Sequence, residues 1–386
     1  MTAMANLLLA VIYVSFVSLG LPDSLLGSAW PSIYPEFGTP ISYAGILSMI
    51  IAVGTVVSSL MSDRVTHLWG AGKVNAFSVL LTAVALFGFS ASGSFGELCL
   101  WAVPYGLGAG AVDAALNNYV ALHYKSRHMS WLHCMWGIGA TLGPYAMGYA
   151  LSHGMSWTGG YRIVSVVQFG LVAVLFASLP LWKRNLVAGN SQKLEPLPLR
   201  KALGIAGAKE MMLCFFCYSA VEQTAGLWAA SYLNGACGFS VEVSAGLAGL
   251  FFVGITVGRA LSGFVTMLLS DDRMIRLGLC VILAGIFLLF LPVKALSLAG
   301  LVAIGLGCAP VYPCIIHSTP ERFGAKNSQA FVGIQMASAY IGTTLMPPLF
   351  GLVARNLGVS LLPVYLILFL SLMFFMHLKL TKISRS

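Results

Sequence analysis

The sequence predicts an all-α polytopic membrane protein with twelve transmembrane helices in two pseudo-symmetric six-helix bundles, and three observations predict it. Of the 386 residues, 58% are hydrophobic and only 9% are charged, against roughly 25% charged in an ordinary soluble domain. A spanning helix needs about 20 mostly apolar residues. The chain holds twelve such runs, near 5–30, 41–62, 73–92, 96–123, 130–152, 161–182, 207–234, 242–269, 274–293, 295–317, 326–352 and 361–380. The third observation is where the basic residues fall. With both termini cytoplasmic, one side collects Arg64, Lys73, Lys125, Arg127, Lys183, Arg184 and most of the others, while the opposite side holds only Arg162, Lys294 and Arg355. This is the charge asymmetry that orients membrane helices. The net charge of +9 therefore reads as topology, and no nucleic-acid partner is expected.

The runs carry their own punctuation. MTAMAN lacks a basic leader, and the first run is long enough to span, so no cleavable signal peptide is expected. Pro22 in that run removes a backbone donor and frees the carbonyl of Ser18, which predicts a kink. Asp23 follows it and shares a face with Gly27 and Trp30. The second run ends on Asp63 and Arg64. In the fourth, GLGAGAVDAALNNY places Gly106, Gly110, Asp113 and Asn117 on one stripe at about 100° per residue, with Asn118 adjoining. Glycines on that stripe admit a close neighbour, so Asp113 is expected to point into protein or a cavity. The fifth run sets His133 on a stripe with Gly137, Ala140 and Pro144, near the inner boundary. The longest polar connection, Lys183 to Gly207, divides the chain into an N-terminal bundle (1–182), a cytoplasmic linker (183–206) and a C-terminal bundle (207–386).

In the second half, Glu222 has Tyr218 one turn before it, and Trp228 and Tyr232 share a different face unless Gly226 breaks the helix. Arg259 lies in the eighth run, Pro310, Tyr312 and Pro313 interrupt the tenth, and Gln335 and Tyr340 add polarity to the eleventh. Most of the eight cysteines lie inside runs, and the Cys214/Cys217 pair reads as core packing rather than redox or metal chemistry. Cys237, alone in an outer loop, has no partner for a disulfide.

Charged groups inside a span cost about 2.5–3.5 kcal/mol each at a helix centre, so they mark function by default. Burial favours the neutral form of a carboxyl group, and an acid that water reaches intermittently takes up and releases a proton. Asp113 and Asp23 are the proton-coupling candidates. Glu222, Asn117, Asn118, Trp228, Tyr232, Gln335, Tyr340 and Trp30 are the candidates for holding a polar solute. For Asp113 the competing reading is a helix-to-helix hydrogen bond, and for Trp228 and Tyr232 an interfacial aromatic belt. Arg259 either pairs with a carboxylate or snorkels to the surface. With His133, Asp63 and Arg64, and with Asp271 and Arg273 at the matching position of the second half, it is a gating candidate. No P-loop, GxSxG, HExxH or paired Cys/His spacing is present. No enzyme chemistry, metal or cofactor is expected, and an ion gradient or the solute's own gradient is left as the energy source.

The halves echo one another. Ser62-Asp63-Arg64 corresponds to Ser270-Asp271-Asp272-Arg273, Gly106-Leu107-Gly108 to Gly305-Leu306-Gly307, and GPYAMG (143–148) to MPPLFG (346–351). Such repeats mark proteins that rock one half against the other around a midplane site. SSLMSDRVTHLWGAGKV resembles the loop signature of the major facilitator superfamily, and GATLGPYAMG its fifth-helix glycine-proline pattern. GLPDSLLGSAWP, GLGAGAVDAALNNY and CYSAVEQTAGLWAASYL are similar to the fucose-permease-like sugar:proton symporters. The resemblance implies a transporter of a small polar solute, with a sugar as the expected cargo, coupled to protons. A monomer is expected, and the short loops and absence of an N-x-S/T sequon fit a bacterial inner membrane. The alternatives are a proton-antiporting exporter of drugs or amphiphilic lipids and a non-transporting membrane sensor.

Overall fold

Pro22 sets the first structural event of the chain. The computed structural model describes residues 3–123, 126–182, 204–265 and 268–383. The side chains of Asp63, Arg64 and Asn118, and the linker up to residue 203, lie outside the described set. Helix α1 (Ala3–Asp23) stops one residue beyond the proline, and α2 (Leu25–Glu36) resumes after Ser24. The Ser18 carbonyl, which the missing Pro22 N–H leaves without its intrahelical donor, accepts instead from Gln168 Nε2 at 2.5 Å.

The first half continues with α3 (Tyr43–Trp69), α4 (Ala71–Ala91), α5 (Phe95–His123), α6 (Ser126–Ser152) and α7 (Ser156–Trp182). The second comprises α8 (Ala208–Gly235), α9 (Val241–Leu247), α10 (Gly249–Val265), α11 (Asp271–Leu289), α12 (Lys294–Cys308), α13 (Val311–His317), α14 (Thr319–Phe323), α15 (Ala325–Leu357) and α16 (Leu362–Ile383). Joining α1 with α2, α9 with α10, and α12 through α14 gives twelve spanning positions among the described residues. Nine of these stretches are long and apolar enough to cross a membrane on composition alone. The remaining three, α6, α8 and α11, carry more polar or charged residues, among them Glu222 and Gln223 in α8 and Asp271, Asp272, Arg273 and Arg276 in α11. The interruption expected at Pro310 is present, between α12 and α13, whereas α8 runs through Gly226 unbroken.

The helices gather into two units. Within the described residues, the first contains α1–α7 with Gly238–Gly249, so α9 groups here and packs on α6. The second contains α8 and the helices after α9. In the first, α1 lies along α6, α3 along α5, and α4 backs onto α5 and α7. In the second, α8 lies along α15 and α16, and α11 along α12. The repeated GLG segments occupy matching places. A Cβ at Gly106 would meet the Ile51 carbonyl of α3, and one at Gly305 the Phe251 carbonyl of α10.

Close approach lets hydroxyls bridge the helices. Thr55, Ser58, Ser59 and Ser62 recur on one face of α3 and donate to the carbonyls of Gly106, Leu107, Gly110 and Ala111 on α5, three of them at 3.1–3.3 Å. Along the other seam, a Cβ at Gly139 would strike the Val17 carbonyl and the Leu21 nitrogen, and one at Gly20 the Trp136 carbonyl. Gly20 is therefore a point of backbone contact.

Substituting Gly139 tests this seam. Gly139→Ala is expected to cost about 1–3 kcal/mol through overpacking and to lower the thermal unfolding midpoint in detergent. Gly170→Ala, on an exposed face of α7 with open space around it, is expected to leave the midpoint unchanged or raise it slightly. Equal loss in both variants would contradict the seam.

Candidate functional site

The break after α1 puts Asp23 at a helix end, and two other helices reach it. Its Oδ1 accepts from the Tyr105 hydroxyl of α5 at 2.9 Å, and its Oδ2 from the Trp136 indole Nε1 of α6 at 2.8 Å. Tyr105 is buried and Trp136 half-buried, while Asp23 itself is exposed although protein atoms crowd around it. The close approach at Gly20, one turn before Asp23, fixes how far the Trp136 indole must reach. Asp113 of α5 is half-buried and close enough for its charge to act on Asp23. Asn117, one turn further on, donates to the Asp113 carboxylate at 2.8 Å and to its carbonyl at 3.0 Å. Gly106 and Gly110 on the same stripe meet α3 as the sequence predicts. The first unit thus gathers two acids, an amide, a phenol and an indole.

The second unit has its own acid. Glu222 of α8 pairs with Arg259 of α10 at 3.7 Å, with side-chain exposures of 12% and 16%. That resolves the choice for Arg259 in favour of pairing. The Tyr218 hydroxyl faces the same carboxylate without meeting hydrogen-bond geometry, and Cys308 of α12 lies within reach of its charge.

Other predicted residues lie elsewhere. Trp228 is fully buried and donates to the Pro347 carbonyl at 3.0 Å. Tyr232 is buried and donates at 2.6 Å to the carbonyl of Leu289, the last residue of α11, where helix carbonyls lack intrahelical donors. Trp30 is buried against the Ile41 carbonyl at 2.7 Å. Gln335 is buried and bonds Thr319 at 3.1 Å, tying α15 to α14. His133 packs edge-on against Phe16 at 5.8 Å, and Tyr340 is half-buried on α15. At the basic end of the second unit, Asp271 bonds His317 at 2.7 Å and Asp272 pairs with Arg322, so the acids of this repeated motif pair with α13 and α14. Their place in the first turn of α11 also suits the positive end of the helix dipole.

Tyr105 and Trp136 are the residues that sequence reasoning missed. The available signal was Trp136 standing one turn before Gly139 on the glycine-bearing stretch of α6; Tyr105 had none beyond lying on the same helix as Asp113. A cavity of about 290 Å³ lies elsewhere, among Tyr232, Cys237, Leu289, Val293, Lys294 and Ser297. Its Tyr232 hydroxyl and Cys237 thiol already donate to protein acceptors, and none of the site acids lines it. Among the described residues no cluster of His, Cys, Asp and Glu could hold a metal ion.

Comparison with known proteins adds the ancestry. A family model described as Major Facilitator Superfamily matches residues 12–295. An uncharacterized transporter of Sinorhizobium fredii is 24% identical over 338 residues, covering 84% of this chain and 85% of the relative. The glucose/mannose transporter GlcP of Bacillus subtilis is 22% identical over 361 residues, covering 88% of this chain and 86% of the relative. Among solved structures, the nucleoside transporter NupG superposes with a TM-score of 0.78 at 12% identity, over 97% of this chain and 98% of that one. A bacterial homolog of the human lysosomal transporter Spinster, in an inward-facing conformation, gives 0.70 at 13% identity, over 100% and 98%.

The ion pair makes a direct prediction. Leaving one charge of a largely buried pair unmatched costs more than removing both. Glu222→Gln and Arg259→Gln should each lower the unfolding midpoint, and the double variant should lose less than the sum of the two. Simple additivity in this double-mutant cycle would show that the pair contributes nothing.

Proposed function

Because the chain belongs to the major facilitator superfamily, and is a multi-pass integral membrane protein of that family's fold, we propose that it is a proton-coupled secondary transporter of a small polar solute, a sugar or sugar derivative. The observation that carries this reading is Asp23, an exposed acid at the interruption of a spanning helix, bound by Tyr105 and Trp136 and within electrostatic reach of Asp113. An acid at such depth is costly unless it faces water, a partner or a ligand. Carboxylates and amides accept and donate to hydroxyl groups, and aromatic rings lie against the apolar faces of a sugar. Asp23, Asp113 and Asn117 supply the first kind of group, Trp136 the second. The glucose/mannose transporter relative and the nucleoside transporter neighbour, whose cargoes by name both contain sugar rings, support the same class.

Protons are the proposed driver because the acids are the groups able to bind and release one. Moving one charge across 100 mV is worth about 2.3 kcal/mol, enough for roughly 50-fold accumulation per proton. Asp23 and Asp113 are assigned the coupling proton. Glu222, paired with Arg259, is assigned solute contact rather than proton transfer. The charge asymmetry supports cytoplasmic termini in a bacterial inner membrane.

Uptake into proteoliposomes loaded with a pH gradient tests the reading, using radiolabelled hexoses, pentoses and nucleosides as probes. Gradient-driven uptake of at least one polyol is expected, with accumulation falling at least tenfold in the Asp23→Asn, Asp113→Asn double variant. Uptake indifferent to the gradient in the unmutated protein, or still driven by it in the double variant, would overturn proton coupling. Transport of amphiphilic cations in place of polyols would overturn the solute class.

A further inference from the structure

Asp23 stands between two donors of different chemistry. An indole Nε1–H only donates, whereas a phenol hydroxyl both donates and accepts. An ionised carboxylate accepts both bonds, at 2.8 Å from Trp136 and 2.9 Å from Tyr105. A protonated carboxyl has one O–H of its own to place. On Oδ2 that proton would point at an N–H group that cannot accept it. On Oδ1 it meets the Tyr105 oxygen, which accepts once its own hydrogen turns away.

We propose that Tyr105 is the positioning residue that reverses its hydrogen bond when Asp23 takes up a proton, while Trp136 keeps hold of the other oxygen. This rests on the reading of Asp23 as a proton-handling acid. The step balances simply. A proton from water adds to Oδ1, the Tyr105 O–H rotates away, and the new carboxyl O–H donates to the phenol oxygen. Neither side chain changes its heavy-atom partner.

The surroundings suit such a switch. Tyr105 is buried beside Phe89 at 6.5 Å, and Phe89 stacks on Tyr161 at 5.1 Å. The Tyr161 hydroxyl is buried, has no hydrogen-bond partner among the described residues and lies within electrostatic reach of Tyr105. A redirected Tyr105 hydrogen thus turns in a neighbourhood that holds a phenol oxygen with no bond of its own among the described residues. Trp136 cannot reverse in the same way, because its indole N–H only donates. The titratable groups facing Asp23 are Tyr105 and Asp113 from α5, with Tyr161 of α7 behind Tyr105. From α6 the facing group is Trp136, which does not titrate, and His133 packs instead on Phe16.

Infrared difference spectra of the full-length protein in phosphatidylcholine liposomes, recorded as pH is stepped, test the switch without a solute. A protonated-carboxyl band that disappears in Asp23→Asn is expected, the Asp113 contribution being subtracted with Asp113→Asn. A tyrosine band, identified by ring-labelled tyrosine in the unmutated protein, should titrate at the same midpoint and be lost in both Asp23→Asn and Tyr105→Phe. In Trp136→Phe the carbonyl stretch of the Asp23 band should move to higher frequency, because that oxygen loses its donor. An Asp23 band with no tyrosine band titrating beside it, or one that survives Tyr105→Phe, overturns the switch and leaves the proton-handling reading intact. A carbonyl stretch that rises in Tyr105→Phe but not in Trp136→Phe places the proton on the wrong oxygen and also overturns it. If no carboxyl band depends on Asp23, the underlying reading fails and the switch with it.

Discussion

Hydrocarbon gives a buried carbonyl no water to bond with, so every polar group at membrane depth must be matched by another part of the chain. Much of this structure follows from that constraint. The carbonyl freed by Pro22 is matched by Gln168. Trp228 and Tyr232 bring side-chain donors to the backbone carbonyls of Pro347 and Leu289. The hydroxyls of α3 run along the carbonyls of α5. Against that background Asp23 is the exception. Both of its oxygens have protein donors, yet it remains exposed.

Backbone proximity is the second theme, and it decides which side chains can meet. Where α1 and α6 touch at Gly20 and Gly139, no side chain separates them, and the residues one turn away face each other at fixed distance. That is how Trp136 reaches Asp23. In the second unit Arg259 reaches Glu222 across α8 and α10, while α10 itself lies close against α12 at Gly305.

Local chemistry was legible in the sequence, and long-range pairing was not. Pro22 announces its break and its orphaned carbonyl because both effects act within four residues. The stripe from Gly106 to Asn117 is a matter of helical period, and its glycines do meet α3. The same reasoning could not find Tyr105 or Trp136, since nothing in their own helices says that an acid from α1 will arrive beside them. Nor could it find the protein partners of Trp228, Tyr232, Trp30 and Gln335. An amphipathic ring near a glutamate looks the same whether its polar atom serves a solute or a distant carbonyl, and the structure places all four in protein-to-protein bonds. The Glu222–Arg259 pair lay between these cases, with the partners visible and the choice between pairing and snorkelling open.

The glycine seams have a bearing on ancestry. A contact that requires only the absence of a side chain asks for no specific partner, so the remaining faces of each helix are free to drift among apolar residues. A lineage can replace nearly all of its letters and still dock the same helices. The superposition on a nucleoside transporter with 12% of residues in common shows how few residues two chains of this fold need to share.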